Sequence, residues 1–395
     1  MKILLFTHPN FSRSQSMPRY AKMLEKYLTE SGHVVTVCSP RGFLYNLPFS
    51  QNIKKWLGYI DQYIIFYLKT WIQLFFIPKN VLLVFADNAL GPWVPLAKNR
   101  AHVIHCHDFL AQRSALGFIP ENLTGWSGKC YQSFIRRGYK QGHNFISVSV
   151  KTQIDLHTFL EHEPTLSKVV YNNVNPIFYP GNLFESRKIL SQKLSINLLD
   201  GFILHVGGNQ WYKNRTGVIE VYNSWRNECS KVLPLVFIGP QPDTTLHDVA
   251  KKSNYSNDIH FLTNITDADV VNAYRGATVF FFPSLEEGFG WPIAEAMASG
   301  CPVVTTDSAP MNEVAGSAGF YIKRRPSPIN QFSTWASESS KILNIVINLS
   351  DSERQVVIKN GVINAKRFNV EFSLKVIEDI YNNIICTTDY FSSND

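Results

Sequence analysis

Short apolar runs alternate with helical patterns along most of this chain, and that alternation limits the fold more than any other feature. Residues 3–6 and 34–38 are apolar at nearly every position. Strands have this character when helices cover both faces of a parallel sheet. Between the two runs, Tyr20, Leu24 and Leu28 recur at helical spacing. The sequence therefore predicts an α/β protein with a parallel sheet that is covered on both faces.

The series of strand-like runs occurs twice, which predicts two domains. The first half has further runs at 81–85, 103–105, 145–148 and 169–171. A stretch rich in Pro, Gly and Asn near Pro176 and Gly181 breaks the pattern. A second series follows at 202–206, 235–238, 259–262, 278–282 and 303–305. We therefore expect two Rossmann-like parallel-sheet domains, at 1–180 and 181–370, facing a cleft with ligands at the carboxyl ends of the strands.

The composition excludes several classes of protein. Apolar residues make up 45% of the chain and charged residues 17%, as in a folded globular protein. The net charge is +7 without a long Lys/Arg run, so no nucleic-acid partner is expected. None of the six cysteines forms a C-x-x-C pair, which argues against zinc and disulfides. The first apolar run is too short for a signal peptide, so the expected compartment is the cytosol.

An aromatic stretch at 54–76 interrupts the regular pattern. Lys54, Lys55 and Lys79 flank it, and Asp61 and Lys69 interrupt it, so it does not qualify as a transmembrane span. A helix that covers the first sheet is one interpretation, because such a sheet needs covering helices. A helix that lies on a membrane surface, at the inner face of the membrane, is the alternative, because Trp, Tyr and Lys occur together.

Two glutamates bracket the most informative segment, 287–295. A strand at 278–282 and a Pro-Ser turn precede Glu287, and Pro292 starts a helix that carries Glu295 in its predicted first turn. The backbone N–H groups of such a helix start attract phosphate. Carboxylates accept hydrogen bonds from neighbouring hydroxyl groups. A site with both features suits a ligand that combines phosphate and sugar, such as a nucleotide sugar.

A lysine follows the first strand of the second series. That strand ends in Gly207 and Gly208, and a short loop leads to Lys213 and then to Arg215. The position directs Lys213 at the carboxyl edge of the sheet, where ligands of such sheets bind. An ammonium group there can neutralise a diphosphate leaving group. An exposed loop lysine is the alternative interpretation.

Two further sequences could suggest a metal ion, and neither predicts one. His105 and His107 share a face of one strand, but no other ligands complete a site. The sequence Asp267-Ala268-Asp269 follows Thr266 and precedes a helical pattern, so we interpret it as a helix cap.

On the segment 287–295 and its continuation to Val304, the chain resembles the retaining glycosyltransferases of GT-B fold, family 4 type, whose signature is two glutamates separated by seven residues. The resemblance implies two facing domains, the first binding the acceptor and the second the nucleotide-sugar donor. It implies that the last helix, within 371–395, packs back on the first domain. It also implies sugar transfer without a metal ion or other cofactor.

The resemblance also assigns roles to residues. Glu295 would bind the ribose of the donor and Glu287 the hydroxyl groups of the transferred sugar. Lys213 would hold the diphosphate together with the helix start, and His107 would lie near the sugar on the acceptor side. The helix start is formed by Phe289, Gly290 and Trp291. Relatives carry an Arg at the place of Gly207 and Gly208, and Arg215 is its nearest substitute in this chain. Relatives also carry glycines in the loop after the first strand, which in this chain ends at Ser16.

The sequence leaves the substrates open. Polysaccharide precursors, lipid-linked saccharides and small molecules are all candidate acceptors, and neither the base nor the sugar of the donor is specified. A catalytically silent GT-B module that binds a sugar nucleotide or saccharide as a partner subunit is one alternative function. A GT-B phosphorylase or epimerase is another.

Overall fold

The computed structural model describes residues 1–11 and 16–392, and the chain divides into two compact units. Unit 1 contains Met1–Tyr171 together with the chain from Glu371 onward, and unit 2 contains Asn172–Val370. Each unit has one six-stranded sheet in which every neighbouring pair of strands is parallel. The predicted fold class, two parallel-sheet α/β domains, is therefore confirmed. The predicted boundary at residue 180 lies slightly after the division at Tyr171.

The sheet of unit 1 has the strand order β2-β1-β3-β4-β5-β6. Its strands are β1 (Lys2–Phe6), β2 (Val34–Cys38), β3 (Leu82–Phe85), β4 (His102–Cys106), β5 (Asn144–Ser147) and β6 (Leu166–Val169). The α-helices before β6 are α1 (Ser16–Glu30), α2 (Gln51–Ile60), α3 (Phe66–Phe75), α4 (Leu110–Ala115), α5 (Trp126–Tyr139) and α6 (Val150–Phe159). A π-helical turn, Asp61–Ile65, joins α2 to α3, and a 3-10 helix, Asn88–Ala97, follows β3.

The sheet of unit 2 has the strand order β12-β11-β10-β7-β8-β9. Its strands are β7 (Ile203–Val206), β8 (Leu235–Ile238), β9 (Ile259–Leu262), β10 (Val279–Phe282), β11 (Val303–Thr306) and β12 (Phe320–Ile322). Its helices are α7 (Leu183–Leu194), α8 (Arg215–Glu228), α9 (Thr244–Lys251), α10 (Asp267–Gly276), α11 (Trp291–Ala298), α12 (Met311–Ala315), α13 (Phe332–Ile347) and α14 (Asp351–Ala365). Strand order reverses beside β7, so the loops after β7 and β10 lie next to each other at the carboxyl edge.

The last helix, α15 (Val370–Ser392), packs on the sheet of unit 1. Buried His105 lies between two tyrosines, with Nδ1 2.8 Å from the hydroxyl of Tyr20 and Nε2 2.6 Å from that of Tyr381 on α15. Glu378, also on α15, lies 2.7 Å from His33. Burial lowers the pKa of His105 to about 3, so the ring is neutral and forms one bond as donor and one as acceptor.

Three details differ from the sequence prediction. Strand β6 lies at 166–169, whereas the sequence predicted 169–171. The prediction failed because β6 is an edge strand with exposed polar residues and therefore lacks a continuous apolar pattern. Edge strand β12 was not predicted, since it has three residues. Helix α11 begins at Trp291, one residue earlier than predicted, so Glu295 is its fifth residue and lies beyond the first turn.

Candidate active site

Lys213 and Glu287 form an ion pair at the carboxyl edge of the unit 2 sheet. Lys213 Nζ lies 2.7 Å from Glu287 Oε1, and the two side chains are 13% and 9% exposed. The Ser284 hydroxyl donates a second hydrogen bond, of 2.8 Å, to the same oxygen. Lys213 follows β7 and Glu287 follows β10, and these strands are neighbours. The pair thus results from parallel pairing of two strands that are far apart in sequence.

Hydrogen bonds between the two loops fix this geometry. The Leu285 N–H donates to Tyr212 O at 2.7 Å, and the Asn214 side-chain amide donates to Pro283 O at 2.9 Å. Asn214 has a left-handed backbone with φ of 51°, a conformation that Asn tolerates better than most residues. The Lys213 ammonium also lies 5.0 Å from the centre of the Phe282 ring, within range of a cation–π contact. The lysine is therefore held in place on several sides.

The start of α11 carries the second glutamate. Gly290 caps the helix with φ of 100°, which a side chain would strain, and the Trp291 ring N–H donates to Asn173 O at 3.0 Å. Further along, Glu295 accepts a 3.0 Å hydrogen bond from the Tyr274 hydroxyl. Burial raises the pKa of Tyr274, and the Glu295 carboxylate raises it further, so Tyr274 stays a neutral donor. Phe289, before the cap, is buried.

The glycines after β7 let the loop approach its neighbours closely. A Cβ at Gly207 would lie 3.1 Å from His205 Nε2 and 3.4 Å from Lys213 Cδ. A Cβ at Gly208 would lie 2.3 Å from the Gln210 side chain. Gly207 therefore leaves room for the aliphatic part of the lysine beside the strand end.

Arg215 takes a different direction from Lys213. It is 5% exposed, and its guanidinium lies 5.2 Å from the centre of the Phe237 ring. Nη1 donates to the side chain of Asn209 and, at 3.4 Å, to Pro240 O. Burial lowers the pKa of Arg215 to about 10, which still leaves it charged at neutral pH. The described contacts of Arg215 thus lie at the loops after β7 and β8.

Sequence reasoning missed three residues that contact the predicted site or its loops. Ser284 binds Glu287, Tyr274 binds Glu295, and Arg324 after β12 approaches the same loop. Arg324 Nε donates to Leu285 O at 3.3 Å, and a second guanidinium nitrogen lies 3.9 Å from Glu286. A basic residue directly after a strand was the signal for Arg324, but the three-residue strand itself was not recognised.

In unit 1, His107 lies at the corresponding carboxyl edge. Its Nε2 lies 2.9 Å from Ala86 O, and a carbonyl can only accept, so Nε2 carries the hydrogen. Burial lowers the pKa of His107, although the Asp87 carboxylate opposes that shift. Its Nδ1 is buried and has no hydrogen-bond partner among the described residues. The ring therefore offers an unused acceptor.

Two neighbouring strands supply an acid and a second histidine that were not predicted. His8 follows β1 and Asp87 follows β3, and His8 Nε2 lies 2.8 Å from Asp87 Oδ2. Burial alone would raise the pKa of Asp87, but the hydrogen bond and charge of His8, with the hydrogen bond from the Ala89 N–H, lower it below its usual value. Each of these residues lies two positions after the end of a buried apolar strand, which was the available signal.

Three further sequence features are the loop before Ser16, the Asp267-Ala268-Asp269 sequence and the candidate metal ligands. The loop at 12–15 and the side chain of Ser16 lie outside the described residues. Asp269 accepts hydrogen bonds from the N–H and hydroxyl of Thr266, which forms a capping box and confirms the interpretation as a helix cap. Within residues 1–11 and 16–392, no group of three or more His, Cys, Asp or Glu side chains could hold a metal ion.

The sequence has recognisable relatives. Residues 186–329 match the family described as Glycosyl transferases group 1. The chain is 30% identical over 173 residues to O-antigen chain mannosyltransferase B of Escherichia coli, which covers 43% of each protein. It is 21% identical over 260 residues to O-antigen chain mannosyltransferase RfbU of Salmonella typhimurium, covering 64% of this chain and 65% of that protein. The chain thus spans less than two thirds of either relative.

Solved structures share the fold over nearly the whole chain. A glycosyltransferase from Rickettsia africae matches 97% of this chain and 98% of its own, with a TM-score of 0.69 and 17% identity. HepE from Anabaena, solved with UDP and glucose, matches 97% of this chain and 100% of its own, with a TM-score of 0.70 and 17% identity. Lys213, Glu287 and Glu295 lie inside the matched family segment. Residues 186–329 therefore match the glycosyl transferases group 1 family, and the chain has the GT-B fold.

Proposed function

We propose that this protein is a retaining, metal-independent hexosyltransferase that moves a sugar, with mannose the first candidate, from a nucleotide-sugar donor to a saccharide or lipid-linked acceptor. The Lys213–Glu287 pair at the carboxyl edge of the unit 2 sheet carries the proposal. Mannose is suggested by the names of the O-antigen mannosyltransferases to which the chain is similar. Polysaccharide biosynthesis is the context that those names suggest.

The ion pair fits a site that must bind both negative and hydroxyl groups. Lys213 supplies a positive charge for the diphosphate, which gains a further negative charge when the bond between its oxygen and the anomeric carbon breaks. Glu287 supplies a fixed carboxylate for sugar hydroxyl groups and for the positive charge that develops at the anomeric carbon. Both groups are ordered before the donor binds, because Ser284 and the ring of Phe282 hold them. Preorganised charges of this kind are effective because they need no rearrangement during the reaction.

The start of α11 provides a second anion-binding element. The helix has eight residues and a glycine cap without a side chain, so a phosphate can approach the Trp291 N–H at its start. Pro292 has no N–H, and the Ile293 N–H donates to Gly290 O. Glu295 lies further along the helix and is oriented by Tyr274, as a ribose-binding carboxylate needs to be. Together with Lys213, this arrangement can hold the diphosphate without a metal ion.

His107 is the residue of unit 1 that we propose for binding a saccharide. Its Nδ1 is the acceptor atom of the ring, and a hydroxyl group can bond to it once the atoms that bury it move aside. Because burial keeps the ring neutral, it can accept that bond across the physiological range of pH. His107 therefore positions sugar in this scheme and does not transfer a proton.

Donor binding and stereochemistry provide the test. UDP, GDP and ADP and their hexose derivatives are screened by thermal shift. A ligand present at 100 times its Kd adds about 2.7 kcal/mol, or roughly 5–11 °C for a unit of this size. The accepted donor is then incubated with simple mannosides, and product configuration is read by proton NMR. We expect an axial donor linkage to give an axial product.

Each outcome has a defined meaning. Inversion of configuration would disprove the retaining mechanism. Donor binding without transfer or donor hydrolysis would instead indicate the catalytically silent module. Sugar release that requires free phosphate would indicate a phosphorylase, and interconversion of sugar nucleotides without acceptor would indicate an epimerase.

A further inference from the structure

The helical run from α2 to α3, at 51–75, is apolar on two faces. Its inner face packs in the core of unit 1, where Phe66 and Leu74 are buried and the rings of Phe66 and Trp93 lie 4.7 Å apart. The Trp93 ring N–H also donates to Gln62 O at 3.1 Å. A helix that covers the sheet, one of the two interpretations of the sequence, therefore explains the inner face only.

The opposite face of this run is apolar and exposed. Its members recur every three or four residues, with adjacent pairs at 71–72 and 75–76, and are between 36% and 84% exposed. We call them the outer face: Ile53, Trp56, Ile60, Ile64, Leu68, Trp71, Ile72, Phe75 and Phe76. Isolated exposed apolar residues are normal, but a continuous row of nine is typical of an interaction surface.

The charges around the outer face have one sign. Residues 41–80 contain five basic residues and a single acidic residue, Asp61. Asp61 is 1% exposed, and its carboxylate accepts hydrogen bonds from the N–H groups of Leu44 and Tyr45, so it does not offset the surface charge. Lys55, Lys69 and Lys79 are exposed. Residues 1–171 as a whole contain 19 Lys and Arg and 9 Asp and Glu.

An open groove of about 350 Å³ adjoins the same helical run. Most of its lining is aromatic or proline, and Arg137 and Gln141 are its other side chains: Tyr63, Tyr67, Pro92, Pro95, Phe134, Arg137, Gly138 and Gln141. The helical run therefore also borders a space that can take an aliphatic chain and has one guanidinium in its lining.

We propose that the outer face lies in the interface of an anionic lipid membrane, at the level between headgroups and acyl chains. Trp, Phe and Ile on one side of a helix with lysines around them are typical of helices that lie in this position. The charge favours lipid over a second copy of the chain, because a symmetric dimer through this face would bring like-charged lysines together. None of the helices in residues 1–11 and 16–392 has the length and apolar character of a membrane-spanning helix.

This inference depends on unit 1 alone and not on the proposed reaction. It has a consequence for that reaction, because a protein held at a lipid surface meets lipid-linked acceptors there. Binding to vesicles requires neither donor nor turnover. Failure of membrane binding and failure of the proposed transfer are therefore distinguishable.

Vesicle flotation with the full chain tests the proposal. Vesicles contain phosphatidylcholine alone or mixed with phosphatidylglycerol. The test variant is Ile64→Glu with Ile72→Glu, whose isoleucines are 53% and 52% exposed. The matched control is Ile345→Glu with Ile363→Glu in unit 2, whose isoleucines are 54% and 53% exposed. Both variants add the same charge, so a difference between them reports the location of the apolar contact.

We expect the wild-type chain and the control to float with the mixed vesicles, and the outer-face variant to lose about tenfold or more in partition coefficient. Replacing Lys54, Lys55 and Lys69 by Gln should lower binding to the mixed vesicles on the order of a hundredfold, and salt should weaken wild-type binding. A thermal scan checks folding, and Phe75→Ser replaces the double variant if that variant unfolds.

Three results would overturn the proposal. The first is a wild-type chain that does not float with anionic vesicles, and the second is equal binding of the outer-face and control variants. The third is a wild-type chain that forms dimers and does not bind vesicles, with dimers lost in the outer-face variant and kept in the control. The outer face would then be an interface between two copies of the chain.

Discussion

The Lys213–Glu287 pair allows structural and catalytic roles to be separated in one experiment. Glu287→Gln removes the negative charge but keeps a side chain that can bond to Ser284. Lys213→Met removes the positive charge and keeps most of the volume. The third variant carries both changes. Because the pair is nearly buried, each single change leaves one charge without its partner, whereas the double change leaves none.

The structure sets the expected magnitudes. Removing one charge of a buried ion pair lowers the free energy of unfolding by about 3–5 kcal/mol. We take the lower end, about 3 kcal/mol, because both side chains keep some contact with solvent and the ammonium keeps its contact with Phe282. For a unit of this size that corresponds to a decrease in Tm of roughly 6–12 °C. The double variant should recover to within about 1 kcal/mol of the wild type, since replacing both charges is often close to neutral.

Activity should follow a different pattern. Each single variant should lose on the order of a hundredfold in kcat, because one preorganised charge contributes about 2.7–4 kcal/mol to the transition state. The double variant should stay at least as slow, although its stability returns. Tm is measured by calorimetry, and kcat by release of nucleoside diphosphate below the lowest Tm. If turnover recovers together with stability in the double variant, or if Glu287→Gln is fully active, the pair is structural and the assignment is wrong.

Three further predictions concern the donor, pH and metal ions. Glu295→Gln should raise the KM for the donor about tenfold to a hundredfold with a smaller change in kcat, because it weakens a charged hydrogen bond. Burial lowers the pKa of His105 and His205 to about 3, whereas a histidine of the unfolded chain has a pKa of about 6.5. Below pH 6.5 only the unfolded chain binds these protons. The free energy of unfolding, measured in urea, should therefore fall by about 1.4 kcal/mol per pH unit for each histidine as the pH drops from 6.5 toward 3. Turnover should be unchanged in EDTA.

Each of these three predictions has a result that would contradict it. A lower kcat at unchanged donor KM in Glu295→Gln would move that residue to the chemical step. Stability that is constant between pH 6.5 and pH 5 would contradict the neutral, buried state of the two histidines, and His205→Met should reduce the slope if they cause it. Activity that is lost in EDTA and restored by manganese would disprove transfer without metal.

The local sequence determined the elements of the fold and the segments of the site. Continuous apolar runs such as β10 and β11 could be recognised because both faces of a parallel strand are covered, so nearly every position is apolar. The helix that carries Glu295 could be recognised from Pro292, because proline suits only the first turn of a helix. Edge strands β6 and β12 could not be placed as well, since half-exposed or very short strands lack that pattern.

The tertiary structure alone decided which side chains meet. Lys213 and Glu287 are distant in sequence and approach because β7 and β10 pair, and strand order is not encoded in any local pattern. The same holds for His8 and Asp87, which follow neighbouring strands β1 and β3, and for Tyr381 on His105. The row of apolar residues at 53–76 was visible in the sequence, but the sequence could not show that one face of that helix is buried and the other exposed. Burial depends on what packs against each face, and only the folded chain specifies that.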